Sequence, residues 1–345
     1  MKDIYILAAK QISVQKPLLE DWIDAPERYD QPYARSIDPD YKQYFPANTV
    51  RRLGKILKRA LLTSQQVRDE SGITNPDAII TGTGLGCIEN TEIFLDALVR
   101  EGEELLKPTH FMQSTHNTIS SLVAIDAHCH GYNCTYTHKG ISFENALTDA
   151  FIRLKNGQIN TALVGAHDEM TPNYFVLLKR IGYLGQAENG FSGETALSIM
   201  LSTNRNEKAL CRIRGIEMHY RPNKEELAKL LELFLKNTGC RLDDIDAVMT
   251  GYNGEQLNDS VYSENCRLLF PDKEIIQYKH LFGESYTASG LGVYASAVLL
   301  SKNRIPAHFF VDARHEDLSE IKHILFYNQF ENKNHSFTLL SSCGD

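Results

Sequence analysis

No apolar run in the chain's 345 residues approaches the roughly 20 positions that a membrane-spanning helix needs. The opening MKDIYILAAKQIS carries one lysine near its start, but its apolar stretch is too short for the central region of a secretory signal. Positive charge is not in excess either. Lys and Arg number 36 against 44 Asp and Glu, a net charge of −8, which argues against a nucleic acid or an acidic membrane surface as partner. CxxC pairs are absent. The seven cysteines (Cys87, Cys129, Cys134, Cys211, Cys240, Cys266 and Cys343) are scattered and odd in number, the pattern of reduced, buried thiols and not of a disulfide framework. A soluble, cytoplasmic protein is therefore expected, with no nucleic-acid and no membrane partner.

What is present centres on the stretch from Asn133 to Gly157. It reads as a short strand, a tight turn at Lys139–Gly140 and an amphipathic helix. Phe143, Leu147, Ala150, Phe151 and Leu154 recur at three- and four-residue intervals, and Gly157 stops the helix. A strand that turns sharply into a helix is where many enzymes seat a nucleophile, because free N–H groups and the helix dipole favour negative charge there. Here the turn holds a glycine.

The flanking chain alternates strands and helices. Strands are expected over 3–13, 77–86, 161–170 and 193–203, and helices over 49–64, 91–104 and, as one helix, from Pro108 to before Gly131. The segment 14–48 reads as an ordered excursion. The second part repeats the scheme: strands over 211–220, 246–251 and 275–278, helices over 224–237 and 288–301, and a closing hairpin of 323–330 with 336–342. The repeated alternation predicts two α/β halves, 1–205 and 206–345, and the absence of a low-complexity linker between them predicts that they pack as one unit.

Two tempting motifs carry little. His110, His116, His128, His130 and His138 cluster with Cys129 and Cys134, but no spacing repeats a zinc finger or zincin, so surface and interface histidines are expected and no metal is assigned. TGTGLG at Thr81–Gly86 has the wrong glycine spacing for a dinucleotide fingerprint and reads as a strand-end turn; no cofactor is expected.

Three segments together resemble the β-ketoacyl synthase branch of the thiolase superfamily. The run from Pro108 to Glu169 resembles its N-terminal core, with Gly-Tyr-Asn in place of Gly-Pro-Asn. Thr250–Asp259 resembles the Asn-Ala-His-Gly-Thr loop. KHLFGESYTASG, Lys279–Gly290, resembles the Lys-Ser-x-x-Gly-His-x-x-Gly-Ala-x-Gly motif. The resemblance implies a thiolase-like fold, two pseudo-repeated α/β halves in alternating helix and sheet layers. It places the family's nucleophilic cysteine on Gly140, its first catalytic histidine on Tyr252 and its second on Glu284, while the motif lysine is retained as Lys279. Glycine cannot form a thioester, and a carboxylate would repel the oxyanion that two imidazoles stabilise in a working synthase. A Tyr252–Glu284 hydrogen-bonded pair filling the old site is expected. The family's glycine-rich gating loop is matched only by NQFENKN, Asn328–Asn334, whose glycines are gone.

Such a profile resembles chain-length factors, ketosynthase-like subunits that lack the Cys-His-His triad and pair with an active synthase, as in bacterial polyene-pigment pathways. The resemblance implies that the chain is not by itself the condensing catalyst. It implies partners in an active β-ketoacyl synthase or a second copy of the chain, and in an acyl carrier protein, with Phe111 to Tyr136 as the contact and tunnel-lining face. Two alternatives remain open at this level: an acyl-thioester transferase or hydrolase using Ser142 or Cys134, and a homodimeric scaffold without enzymatic activity.

Overall fold

The computed structural model describes residues 2–103, 106–183, 190–312 and 314–344. The first half runs β1 (Ile4–Ile12), α1 (Ala47–Val50), α2 (Lys55–Ser71), β2 (Ala78–Gly82), α3 (Ile88–Glu101), α4 (Pro108–Ser114), α5 (Thr118–Asp126), β3 (Tyr132–Tyr136), α6 (Ser142–Lys155), β4 (Thr161–Asp168), α7 (Pro172–Arg180) and β5 (Thr195–Ser202). The second runs β6 (Cys211–Tyr220), α8 (Lys224–Thr238), β7 (Ala247–Thr250), α9 (Gln256–Leu269), β8 (Glu274–Gln277), α10 (Lys279–Phe282), α11 (Ala288–Lys302), β9 (Arg304–Ile305), β10 (Leu318–Ser319), β11 (His323–Phe330) and β12 (Asn334–Ser341).

The strand order is β3-β2-β4-β5-β1-β6-β12-β11-β7-β8. Counted outward from the β1–β6 junction, both halves use their strands in the same order. The senses also repeat: β2 lies parallel to β3 and β4, as β7 does to β8 and β11, and the remaining pairs are antiparallel. Among the described residues, the two sets of strands are joined by the short pairing of Ile4–Ile6 with Cys211–Ile213.

Three apolar cores separate the layers. α2 and α5 cover the outer face of the first set through Leu57, Leu61, Ile119 and Val123. α8 and α9 cover the outer face of the second through Leu231, Phe234, Tyr262 and Leu269. Between the sets lie α6 and α11. α11 is buried on every side from Ala288 to Leu300, as its lack of a polar face requires. Its glycines let the layers close: a Cβ on Gly290 would sit 2.7 Å from Ala166, and one on Gly292 would sit 2.6 Å from the Phe326 ring. This is the alternating arrangement expected from the sequence.

Boundaries moved where local chemistry overrides periodicity. The helix expected over 49–64 begins only after Gly54 and runs to Ser71, its first turn receiving the Glu169 carboxylate at the Ile56 N–H (3.3 Å). The single helix expected from Pro108 breaks between Ser114 and Thr118, where Thr115 is extended and its hydroxyl meets that of Thr118 at 2.8 Å. α7 was not foreseen, although Thr171-Pro172 is a helix-start signal; the Thr171 hydroxyl accepts the Tyr174 N–H at 3.1 Å.

Candidate functional site

β3 ends at Tyr136, and the chain turns into α6 through Lys139, whose φ is +52°. Gly140 occupies the turn, and any larger residue there would require the Phe330 ring to move. A Cβ there would meet ring carbons of Phe330 at 2.2, 2.6 and 2.8 Å. Ser142 is fully buried: its hydroxyl donates to the Lys139 carbonyl (2.7 Å) and accepts from the His138 N–H (2.8 Å), so it staples the turn. Cys134 lies half-buried within β3 and packs on the inner core.

In front of this turn lies a cavity of about 450 Å³ that brings Gly140, Lys279 and Glu284 together with Asn253 and Phe330. Lys279 Nζ donates to Glu284 Oε2 at 2.6 Å, and Asn253 Nδ2 donates to the same oxygen at 2.7 Å. Asp259, in the first turn of α9, shapes the loop that carries Asn253 by accepting the N–H groups of Asn253 and Gly254, each at 3.0 Å.

Tyr252 does not join this group, which corrects the expected Tyr252–Glu284 pair. Its hydroxyl meets Ser263 Oγ at 3.3 Å and its ring lies 5.3 Å from that of Tyr262, outside the cavity wall. Burial pushes its phenol up to about 12. The loop delivers the next residue, Asn253, to the cavity instead.

The floor of the site was not read from the sequence. Glu144 of α6 is buried, with Oε1 accepting from Asn328 Nδ2 at 2.5 Å. Burial raises its carboxyl to about 7, against the pull of its hydrogen bonds and of Lys279. Asn328 Oδ1 accepts the Tyr262 hydroxyl (2.9 Å), and the same hydroxyl accepts the Gln329 N–H (3.0 Å). Gln329 then bonds Asn258 Oδ1 at 2.8 Å and accepts the Asn332 N–H at 2.9 Å. Glu331 and Asn332 sit at φ +54° and +52°, closing β11 onto β12 in a tight turn. The segment in the place of a glycine-rich gate is therefore a clamped hairpin with Phe330 set over Gly140. The available signal was Glu144 itself, a charge at helical spacing on the face of Leu147 and Phe151.

The TGTGLG turn wraps an acid: Asp168 Oδ1 accepts from Thr83 Oγ1 (3.2 Å), Gly84 N–H (2.9 Å) and Leu85 N–H (2.8 Å), and burial raises its carboxyl to about 6. Among the described residues, no three His, Cys, Asp or Glu side chains are grouped to hold a metal. No described helix is long and apolar enough to cross a membrane. The face from Phe111 to Tyr136 falls on α4, α5 and β3, with Phe111, Met112 and Ile125 exposed.

Residues 21–232, well over half of the chain, match the family model "Beta-ketoacyl synthase, N-terminal domain". No curated protein matches the sequence. Among solved structures, the ishigamide ketosynthase/chain length factor is 18% identical with a TM-score of 0.80, covering 99% of this chain and 100% of that one. The ketosynthase ApeO in complex with its chain length factor ApeC, from Xenorhabdus doucetiae, is 14% identical at TM-score 0.83, covering 99% and 98%. AntDE:AntF, a type II PKS acyl-carrier protein in complex with its ketosynthase bound to the hexaketide, is 14% identical at TM-score 0.78, covering 99% of each. At these identities the likeness shows the fold.

Proposed function

The chain belongs to the β-ketoacyl synthase family, and we propose that within it this chain is a subunit that does not itself condense acyl units. It pairs with an active β-ketoacyl synthase and shapes the acyl cavity, as a chain-length factor does. The observation that carries this reading is the helix-opening turn: Gly140 offers no nucleophile, and Phe330 fills the space a side chain would need. Glu284 and Asn253 offer no imidazole, and a carboxylate opposes the oxyanion that condensation must stabilise. Ser142, spent on its turn, and Cys134, within its strand, weigh against a displaced nucleophile.

Pairing is supported by β3, which ends the sheet with no strand on its outer edge among the described residues, and by the exposed apolar residues of α4 and α5 beside it. The solved relatives named as ketosynthase with chain length factor favour a heterodimer, and the one named with an acyl-carrier protein favours such a protein as the donor to the pair. The setting we propose is cytoplasmic polyene biosynthesis of fatty-acid or polyketide type, with 1–205 and 206–345 unfolding as one unit.

The test is intact-mass analysis after incubation with an acyl thioester on its carrier protein, for this chain alone and with its synthase. An adduct on the synthase only is the expected result. An adduct on this chain contradicts the reading, and its position names the nucleophile.

A further inference from the structure

At several places where donors converge on an anion, one of the chain's own carboxylates fills the site. Asp168 fills the TGTGLG turn, and Glu169 accepts the N–H groups of Ile56 and Glu89 at the starts of α2 and α3. Both of these acids are sealed in the interior. Another differs, because it faces the cavity: Lys279 Nζ, from the first residue of α10, and Asn253 Nδ2, from the loop before α9, converge on Glu284 Oε2 at 2.6 and 2.7 Å.

This contact is built into the chain and is not a chance surface pair. Lys279 is only 7% exposed. Gly251 gives it room, since a Cβ there would lie 3.2 Å from Nζ and Cε of Lys279. The backbone that delivers the carboxylate is fixed on both sides. Gly283 turns at φ +74°, the Glu284 N–H donates to the Phe191 carbonyl (2.8 Å), and the Glu284 carbonyl accepts the Gly193 N–H (2.9 Å). An incoming carboxylate would have to displace a tethered one, whose effective concentration is about millimolar or higher, and would be repelled by it.

We infer that Lys279 and Asn253 form a carboxylate-binding site that Glu284 occupies from within the chain, closing the cavity to acyl units that bear a carboxylate. The geometry stands alone; only the class of ligand, malonyl-type units as against uncharged chains, rests on the subunit reading above. The ion pair leaves Lys279 no surplus charge with which to attract an anion. Glu144, beneath the pair, is the acid that would replace Glu284 as counter-ion, so it must be neutralised in the test.

Sodium malonate, titrated at constant ionic strength with thermal denaturation as the readout, is applied to Glu144→Gln and to Glu144→Gln/Glu284→Ala. The second variant should show saturable stabilisation with an apparent affinity at least about tenfold above the first, a difference of about 1.4 kcal/mol. Adding Lys279→Met should remove it. An equal response from both variants, a response that survives Lys279→Met, or no saturable response from the folded double variant overturns the inference. If the alanine variant does not fold, Glu144→Gln/Glu284→Gln must show the same ordering. Capture of the synthase by the same variants reports the subunit reading separately, so loss of one result leaves the other intact.

Discussion

The repeat lets the passage from β3 into α6 be compared with the passage from β8 toward α11. Both strands end their five-strand set, and both lead into the helices of the middle layer. The β8 side is finished within the chain: Phe310 bridges Ile276, and the Val311 N–H donates to the Ile275 carbonyl at 3.0 Å. The β3 side has no strand on its outer edge among the described residues. The turns differ in the opposite direction. After β8 the chain installs Lys279 and Glu284 as a hydrogen-bonded pair, whereas after β3 it installs Gly140 under Phe330. One end keeps polar groups and covers its edge; the other has emptied its turn and kept its edge open. An exposed edge is a liability unless something pairs with it, which makes β3 the edge where the proposed partner would add.

The largest effect that would break this comparison is on the edge itself. Asn133→Lys with Thr135→Lys should weaken synthase capture about a hundredfold or more, roughly 3 kcal/mol. Val311→Pro, at the covered edge, should leave capture unchanged and cost about 1–2 kcal/mol of stability in urea unfolding.

Lys279→Met should cost about 3 kcal/mol or more, because it strands the Glu284 carboxylate in a partly buried site, and Lys279→Met/Glu284→Leu should recover most of that loss. A matching gain in the double variant distinguishes a structural pair from a catalytic one.

Glu144 gives a pH-dependent contrast. Its folded-state pKa of about 7 lies above the ordinary 4.5, so the folded state holds the proton more tightly. Wild type therefore loses stability relative to Glu144→Gln as pH rises from about 4.5 through about 7. The two should unfold alike near pH 4.5, and the variant should lead by about 3 kcal/mol at pH 8. A constant difference across that range would show that burial does not hold the acid neutral.

The smallest quantity to read is the coupling at the turn that holds Gly140. Gly140→Ala should cost about 1–3 kcal/mol by overpacking against Phe330, and Phe330→Ala should relieve it, with a coupling of about 1 kcal/mol. Additivity would mean the ring and the glycine are independent.

Features set by local signals were legible in the sequence, and those set by long-range contacts were not. β6 falls at Cys211–Tyr220, and α6 begins at Ser142 with Phe143, Leu147, Ala150 and Leu154 inward, because alternation and helical spacing are written locally. Gly140 was legible as an absent nucleophile, but the ring that fills its place comes from β11, nearly two hundred residues on. Tyr252 illustrates the limit. A motif match assigns a position along the chain, whereas Asp259 sets the turn that decides which side chain enters the cavity, and it sends Asn253. The break between α4 and α5 lies in hydroxyl contacts at Thr115 and Thr118 that periodicity does not register.

The most direct test of the central claim is purification of the tagged chain from its native host, with intact-mass and peptide identification of what elutes with it. The account predicts a stoichiometric second ketosynthase carrying Cys, His and His at the positions that match Gly140, Tyr252 and Glu284 of this chain, lost when the β3 edge carries lysines. A stable homodimer without a synthase, or a lone chain bearing a covalent acyl group, would contradict it.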